Sequence, residues 1–265
     1  MDVVATARTD APARLTLTAL TGIPTIAPGQ ELASVIVAAA QASSLALCDG
    51  DILVIAQKIV SKSEGRAVRL ADVVPSPRAQ SLAVETGKDA RVVELILRES
   101  TEVLRVRPGV IIVAHRLGLV MANAGIDASN VEPRDGEEAV LLLPVDPDAS
   151  AARLREALKV IGGVDVGVII NDSFGRAWRL GTAGTAIGVA GLPGLLDLRG
   201  QSDRNGRALA TTEVGIADEL AAAGSLLMGQ AAEGRPVVLI RGYVAQRRDG
   251  TAAELIRPKH FDLFR

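Results

Sequence analysis

Blocks of apolar and polar positions along this chain predict its elements. RLTLTAL (14–20) alternates with period two and predicts a strand, followed by TGIPTIAPGQ, a turn-rich loop with two prolines. ELASVIVAAAQASSLAL (31–47) has the composition and apolar spacing of a helix that ends at Asp49-Gly50. DILVIAQKIV (51–60) predicts a buried strand, with SKSEGR after it as a polar loop. Helices are expected over 76–87 and 91–100. VIIVAHRLGLVMANAG (110–125) predicts two strands joined near Leu117-Gly118, and AVLLLP (139–144) one more. SAARLREALKVIGG (150–163) predicts a helix with Ser150 as N-cap and glycines to stop it. VGVIINDS (166–173) is an apolar strand that breaks into polar residues, and TAIGVAG (185–191) is a further strand. TTEVGIADELAAAGSLLMG (211–229) predicts a helix, and PVVLIRG (236–242) the last strand.

Strands and helices follow one another without strict βαβ alternation. That favours an α+β fold, mixed sheets with flanking helices, over a doubly wound sheet. Residues 1–12 are expected to be a flexible tail, 13–245 the folded domain in one or two lobes, and 246–265 a C-terminal extension or linker.

Composition narrows the functional classes. At 265 residues, 48% hydrophobic and 23% charged, the chain is globular and long enough to bury a core without staples. Aromatics are only 2%, which leaves no stacking platform for bases, and the net charge of −2 comes without a basic block. Nucleic acid is therefore not an expected partner. No apolar run approaches the ~20 residues that span a bilayer, and no signal peptide is visible, so a membrane is not expected either. Cys48 is the single cysteine and is expected to be a small core residue. It leaves no intrachain disulfide, and a reduced, cytoplasmic setting is the simplest reading.

Four places set polar groups where apolar strands end. Lys62, in VSKSEGR, is either a phosphate contact or an ordinary solvated charge. NAGIDASNV offers Asn123, Asp127 and Asn130: hard oxygen ligands suited to Mg²⁺ or Mn²⁺, or side chains bonded to their own backbone in an Asx-turn. IINDSFGRAWR places Asp172 and Ser173 at a strand end, an arrangement that holds a divalent ion on a nucleotide phosphate. Arg176 and Arg179 follow, available to phosphate or carboxylate groups; the alternative is a helix cap or turn. LMGQAAEGRP brackets Gln230 between Gly229 and Gly234, as an anion cradle or a plain connection. There is no GxxxxGK[ST] P-loop and no GxGxxG spacing. His115 and His260 are too few and too isolated for a zinc site or a Ser-His-Asp triad. The set suggests metal-assisted phosphoryl chemistry.

LTGIPTI, VSKSEGR, NAGIDASNV, NDSFGR-x-WR-x-G, AIG, SDRNGR and LLMGQ-x-xEGRPVV, spread over roughly residues 14 to 243, resemble the coenzyme F420:L-glutamate ligases, also called F420-0:gamma-glutamyl ligases. The resemblance implies a GTP-dependent ligase that adds L-glutamate to the deazaflavin F420-0 through an acyl phosphate. It also implies Mg²⁺ or Mn²⁺, K⁺, a family-specific α+β fold and an intertwined homodimer. Some members carry a second, fused domain, so this chain is either a stand-alone enzyme or the ligase portion of a bifunctional one. Carried over by motif, Asp127, Asp172, Ser173 and Gln230 would hold metal, with Ser173 standing where the family often has Thr. Asp127, Asp172 and Arg176 would serve catalysis. Ile23, Pro24, Thr25, Ile26, Lys62, Asn130, Met228, Gly229 and Gly234 would meet the nucleotide. Ala56 and Gln57 replace a Ser-Thr pair of some members, which leaves that contact open. Two other readings use the same residues: a metal-dependent phosphohydrolase with water as nucleophile, and a nucleotide-binding module without catalysis.

Overall fold

A computed structural model describes residues 13–127, 138–244 and 248–263. Along the chain it contains β1 (Thr16–Ala19), α1 (Leu32–Ala42), β2 (Ile52–Ala56), α2 (Gln57–Ser63), β3 (Ala67–Arg69), α3 (Pro77–Thr86) and α4 (Ala90–Arg98). There follow β4 (Ser100–Arg107), β5 (Val110–His115), β6 (Val120–Ala122), β7 (Ala139–Leu141), α5 (Pro147–Gly162), β8 (Gly167–Gly175) and β9 (Thr182–Ala190). β10 (Leu196–Asp197), β11 (Glu213–Val214), α6 (Ile216–Met228) and β12 (Val237–Arg241) complete the set. The expected α+β class of mixed sheets with helices is what the chain adopts.

The main sheet has five strands in the order β1-β12-β2-β8-β9, with β2 and β8 parallel and the other neighbours antiparallel. Its central strands carry unbroken apolar runs where both faces are covered. Leu53, Ile55, Val168, Ile170 and Leu239 face α1 and α5, where Ile36, Leu154 and Leu158 meet them. Ile52, Val54, Ile169, Val238 and Ile240 face α6, against Ile216, Ala217, Leu220 and Ala221. A smaller lobe packs α3 and α4 on the antiparallel sheet β4-β5-β6, with Val93, Ile96, Ile111 and Val113 at its centre. The β3–β7 ribbon carries Val140 and, with Leu70, Leu95 and Leu142, forms a third cluster.

Several boundaries differ from the sequence expectation. The run 51–60 is not one strand: pairing stops at Ala56, and Gln57 opens a helix stabilised by the Ser61 hydroxyl donating to Gln57 Oε1 (2.9 Å). An apolar run alone does not separate the two periods. α1 ends at Ala42, not 47, because Ser44 turns left-handed (φ 54°). Asp146, not Ser150, caps α5, accepting from the Ala149 N–H at 3.0 Å; Ser150 lies inside the helix, its hydroxyl bonded to Asp146 O and Glu64. Residues 213–214 pair with β10, so α6 starts at Ile216. The strand β4, whose alternation STEVLRVR is plain in hindsight, was not anticipated. Cys48 is exposed rather than in the core; its N–H donates to the buried Asp51 carboxylate, which takes the interior position instead.

Three approaches tie the halves together. Asp51 accepts a two-pronged contact from Arg241 (2.7 and 2.6 Å), joining the start of β2 to the end of β12. Asp148, in the first turn of α5, accepts from the N–H of Val189 (2.8 Å) and of Ala252 (2.7 Å). Gly188 lets α5 lie directly on β9: a Cβ there would stand 2.3 Å from Pro147 O. Gly188→Ala is therefore expected to destabilise the fold by about 1–3 kcal/mol, the usual cost of overpacking. A shifted urea midpoint at unchanged slope checks it. Among the described residues no helix is long and apolar enough to cross a membrane.

Candidate functional site

At the end of the main sheet where β2 and β8 finish and β12 begins, a cleft of about 580 Å³ opens. That size lies within the range of small-molecule sites. Its walls come from five separate stretches: Ile23–Ile26, residues 56–59 with Lys62, Asp127, residues 171–173, and the loop 228–236.

Asn123, Ala124 and Gly125 all have positive φ (51°, 53° and 65°), a tight left-handed turn straight after β6. Asn123 Oδ1 accepts from the Ile111 N–H at 3.0 Å, pinning that turn to β5. The backbone of Asp127 then pairs with Leu141 (3.0 and 2.8 Å). Asn123 thus holds the turn that aims Asp127 at the cleft. Asn130 lies outside the described residues.

Asp172 and Ser173 sit within β8, opposite Thr185 and Gly184, rather than at the strand end the sequence suggests. Asp172 accepts the Ser173 N–H at 2.8 Å. Burial pushes its carboxyl up to about 6; the Asp127 charge pushes the same way, while the Ser173 N–H and Lys58 oppose it. The two carboxylates therefore act on each other across the cleft. Lys58 Nζ stands 2.5 Å from Asp127 Oδ2.

Lys62, one turn further along α2, lines the same cleft, and among the described residues its ammonium has no ion pair. Gln57 turns inward to Ser61, so this side chain is held by the protein itself. Gln230 Nε2 donates to the hydroxyls of Ser173 and Ser225, both at 3.0 Å. Gly229 is required where it is by its backbone conformation (φ 73°, ψ 179°), which L side chains rarely adopt. Glu233 accepts the Ala231 N–H at 2.8 Å, so a carboxylate rests on the loop backbone proposed as an anion cradle.

Nearly all the sequence-nominated residues within the described chain meet here: Ile23, Pro24, Thr25, Ile26, Lys62, Asp127, Asp172, Ser173, Met228, Gly229, Gln230 and Gly234. Arg176 does not join them. It is exposed, beyond Gly175 on the way to β9, near the exposed Trp178 and Leu180. Lys58, Asn171 and Arg235 line the cleft without having been singled out. Asn171 is the clearest omission: it is buried, its Nδ2 donates to Met228 Sδ (3.6 Å), and its Oδ1 has no partner among the described residues. An Asn directly before Asp-Ser in an apolar strand was the available signal.

Among the described residues no three His, Cys, Asp or Glu side chains gather as a metal-binding group. The donors present are instead two mutually repelling carboxylates, a serine hydroxyl and an amide. That hard oxygen set suits Mg²⁺ or Mn²⁺, provided Gln230 turns its amide by half a turn to present oxygen. The residues fit such an ion.

The family model described as F420-0:Gamma-glutamyl ligase matches residues 22–242. The chain is 47% identical over 253 residues to the coenzyme F420:L-glutamate ligase of Methanothermobacter thermautotrophicus, covering 95% of this chain and 99% of that protein. It is 48% identical over 244 residues to the enzyme of the same name from Methanopyrus kandleri (91% and 93% covered). It is 46% identical over 217 residues to that of Methanocaldococcus jannaschii (82% and 85%).

Proposed function

The chain belongs to the F420-0:gamma-glutamyl ligase family, and on that premise we propose that it is a GTP-dependent ligase of coenzyme F420 biosynthesis, joining L-glutamate through its amine to the carboxylate of F420-0 and any further glutamate through a gamma-linked amide. One observation carries the reading: five stretches far apart in sequence, matching family motifs, converge on one cleft that holds three carboxylates (Asp127, Asp172 and Glu233), two lysines and a glycine-bracketed loop.

In the proposed reaction a carboxylate oxygen of F420-0 attacks the γ-phosphorus of GTP, and GDP leaves. The glutamate amine then attacks the acyl carbon, the C–O bond to phosphate breaks, and the amine proton is lost. Phosphoryl transfer of this kind is mostly a matter of positioning and charge neutralisation. Lys62 and Arg235 bring positive charge to the cleft for the phosphates. Loop 228–234 and Ile23–Ile26 would enclose the nucleotide between them. Asp127, Asp172, Ser173 and Gln230 would hold Mg²⁺ or Mn²⁺, which when bound offsets charge on the phosphate oxygens. A K⁺ ion and a homodimeric assembly belong to the same proposal; sedimentation of the purified chain tests the latter.

The test is to mix the protein with F420-0, L-glutamate, GTP and Mn²⁺ and weigh the deazaflavin product. Products heavier by glutamyl units are expected. GTP hydrolysis without glutamate dependence and without a mass shift would mean a phosphohydrolase. GTP binding without any turnover would mean a binding module.

A further inference from the structure

We infer that Lys58 is an internal counter-ion that holds Asp127 in the metal-free protein and competes with the divalent ion for it. The inference rests on the metal reading of Asp127 just given. It starts from a geometric conflict. Lys58 Nζ lies 2.5 Å from Asp127 Oδ2. A Mg²⁺ ion sits about 2.1 Å from its carboxylate oxygens. An ammonium and a divalent ion cannot share one oxygen at those distances without strong like-charge repulsion. Loading the ion on Oδ2 therefore requires Lys58 to leave it.

The fold supplies a reason for such a residue. Asp172 is half-buried on β8, and Asp127 is aimed at the same cleft by the 123–125 turn. Two carboxylates brought together in this way repel each other when no cation is between them. Lys58 supplies that charge from the first turn of α2, on a long flexible stem that can retract. Its side chain is 34% exposed, so water is close at hand for a displaced ammonium. Lys62 follows four residues later on the same helix face, so the displaced charge stays on the wall that already carries Lys62. The protein keeps its carboxylates neutralised before metal arrives, at the cost of weaker metal binding.

The test reads metal binding directly. The metal-free full chain is titrated with Mn²⁺ at fixed pH without nucleotide, and free Mn²⁺ is followed by electron paramagnetic resonance. Lys58→Met and Lys58→Gln are expected to bind Mn²⁺ about five-fold tighter than the unaltered chain, the scale of a partly exposed ion pair. Both variants should melt at a lower temperature than the unaltered chain without metal, and saturating Mn²⁺ should close that gap. Lys58→Arg, which keeps the charge, should bind like the unaltered chain. Equal or weaker Mn²⁺ binding by both neutral variants would overturn the inference and leave the metal site standing. Absence of Mn²⁺ binding by the unaltered chain and both variants would overturn the metal reading itself.

Discussion

Asp127→Ala is expected to lower glutamate ligation by about 10²–10³-fold or more, the range seen when a group stabilising transition-state charge is removed. Thermal stability should hardly change. The Asp127 backbone, not its side chain, pairs with Leu141, and its carboxylate is partly exposed. Surface-side truncations of that kind usually stay within about 0.5 kcal/mol. The change also removes the Asp127 charge, which together with burial holds the Asp172 carboxyl up to about 6, so Asp172 should ionise more readily in the variant. Product mass at saturating Mn²⁺ and GTP, beside a circular dichroism melt, separates loss of chemistry from loss of fold. Ligation within ten-fold of the unaltered chain would remove Asp127 from the mechanism.

Glu99→Gln is the counterpart on the stability side. Glu99 sits beneath the β5–β6 turn with Arg66 (3.1 Å) and Arg116 (3.0 Å), and Arg66 also donates to Leu143 O, so one carboxylate clasps the smaller lobe to the segment entering α5. Burial alone would raise its pKa. The neighbouring His115, Arg116 and Arg66 outweigh that and hold it at about 2. His115 Nε2 is 3.6 Å away, long for a hydrogen bond.

With the folded value below the ordinary 4.5, this contribution is fully present above about pH 4.5. It fades as pH falls through about 2. Its size is about 3 kcal/mol by linkage, and the carboxylate is only 12% exposed, so little of that is lost to solvent screening. Glu99→Gln should lower the melting temperature near neutrality by roughly 6–12 °C. It should also flatten the loss of stability between pH 4.5 and 2. An unchanged melt at pH 7 would show the clasp to be unimportant.

Much of this was legible in the sequence, for identifiable reasons. The central strands announce themselves because burial on both faces demands unbroken apolar runs, as at Leu53–Ile55 and Val168–Ile170. Asp127, Asp172 and Gln230 were legible because small polar residues crowd where such runs finish. Lys58 was not: it stands inside DILVIAQKIV, and assigning that run to a single strand hid the helix whose first turn points Lys58 at Asp127. Asn171 was hidden likewise, as part of the strand rather than beyond it. Arg176 lies apart from the cleft lining, because β8 runs on to Gly175 before the chain reaches it.

The strand order carries a consequence in time. β12, the last strand of the chain, lies between β1 and β2, among the first, and the Asp51–Arg241 pair joins residues 190 apart. On a ribosome the early strands must therefore wait for nearly the whole chain before the main sheet can close. Loop 228–236 leads directly into β12, so the pocket floor and its last wall arrive together. A nascent chain lacking that stretch would expose the edges of β1 and β2 and have no complete cleft; competence to bind comes only once β12 has been made, in a single step.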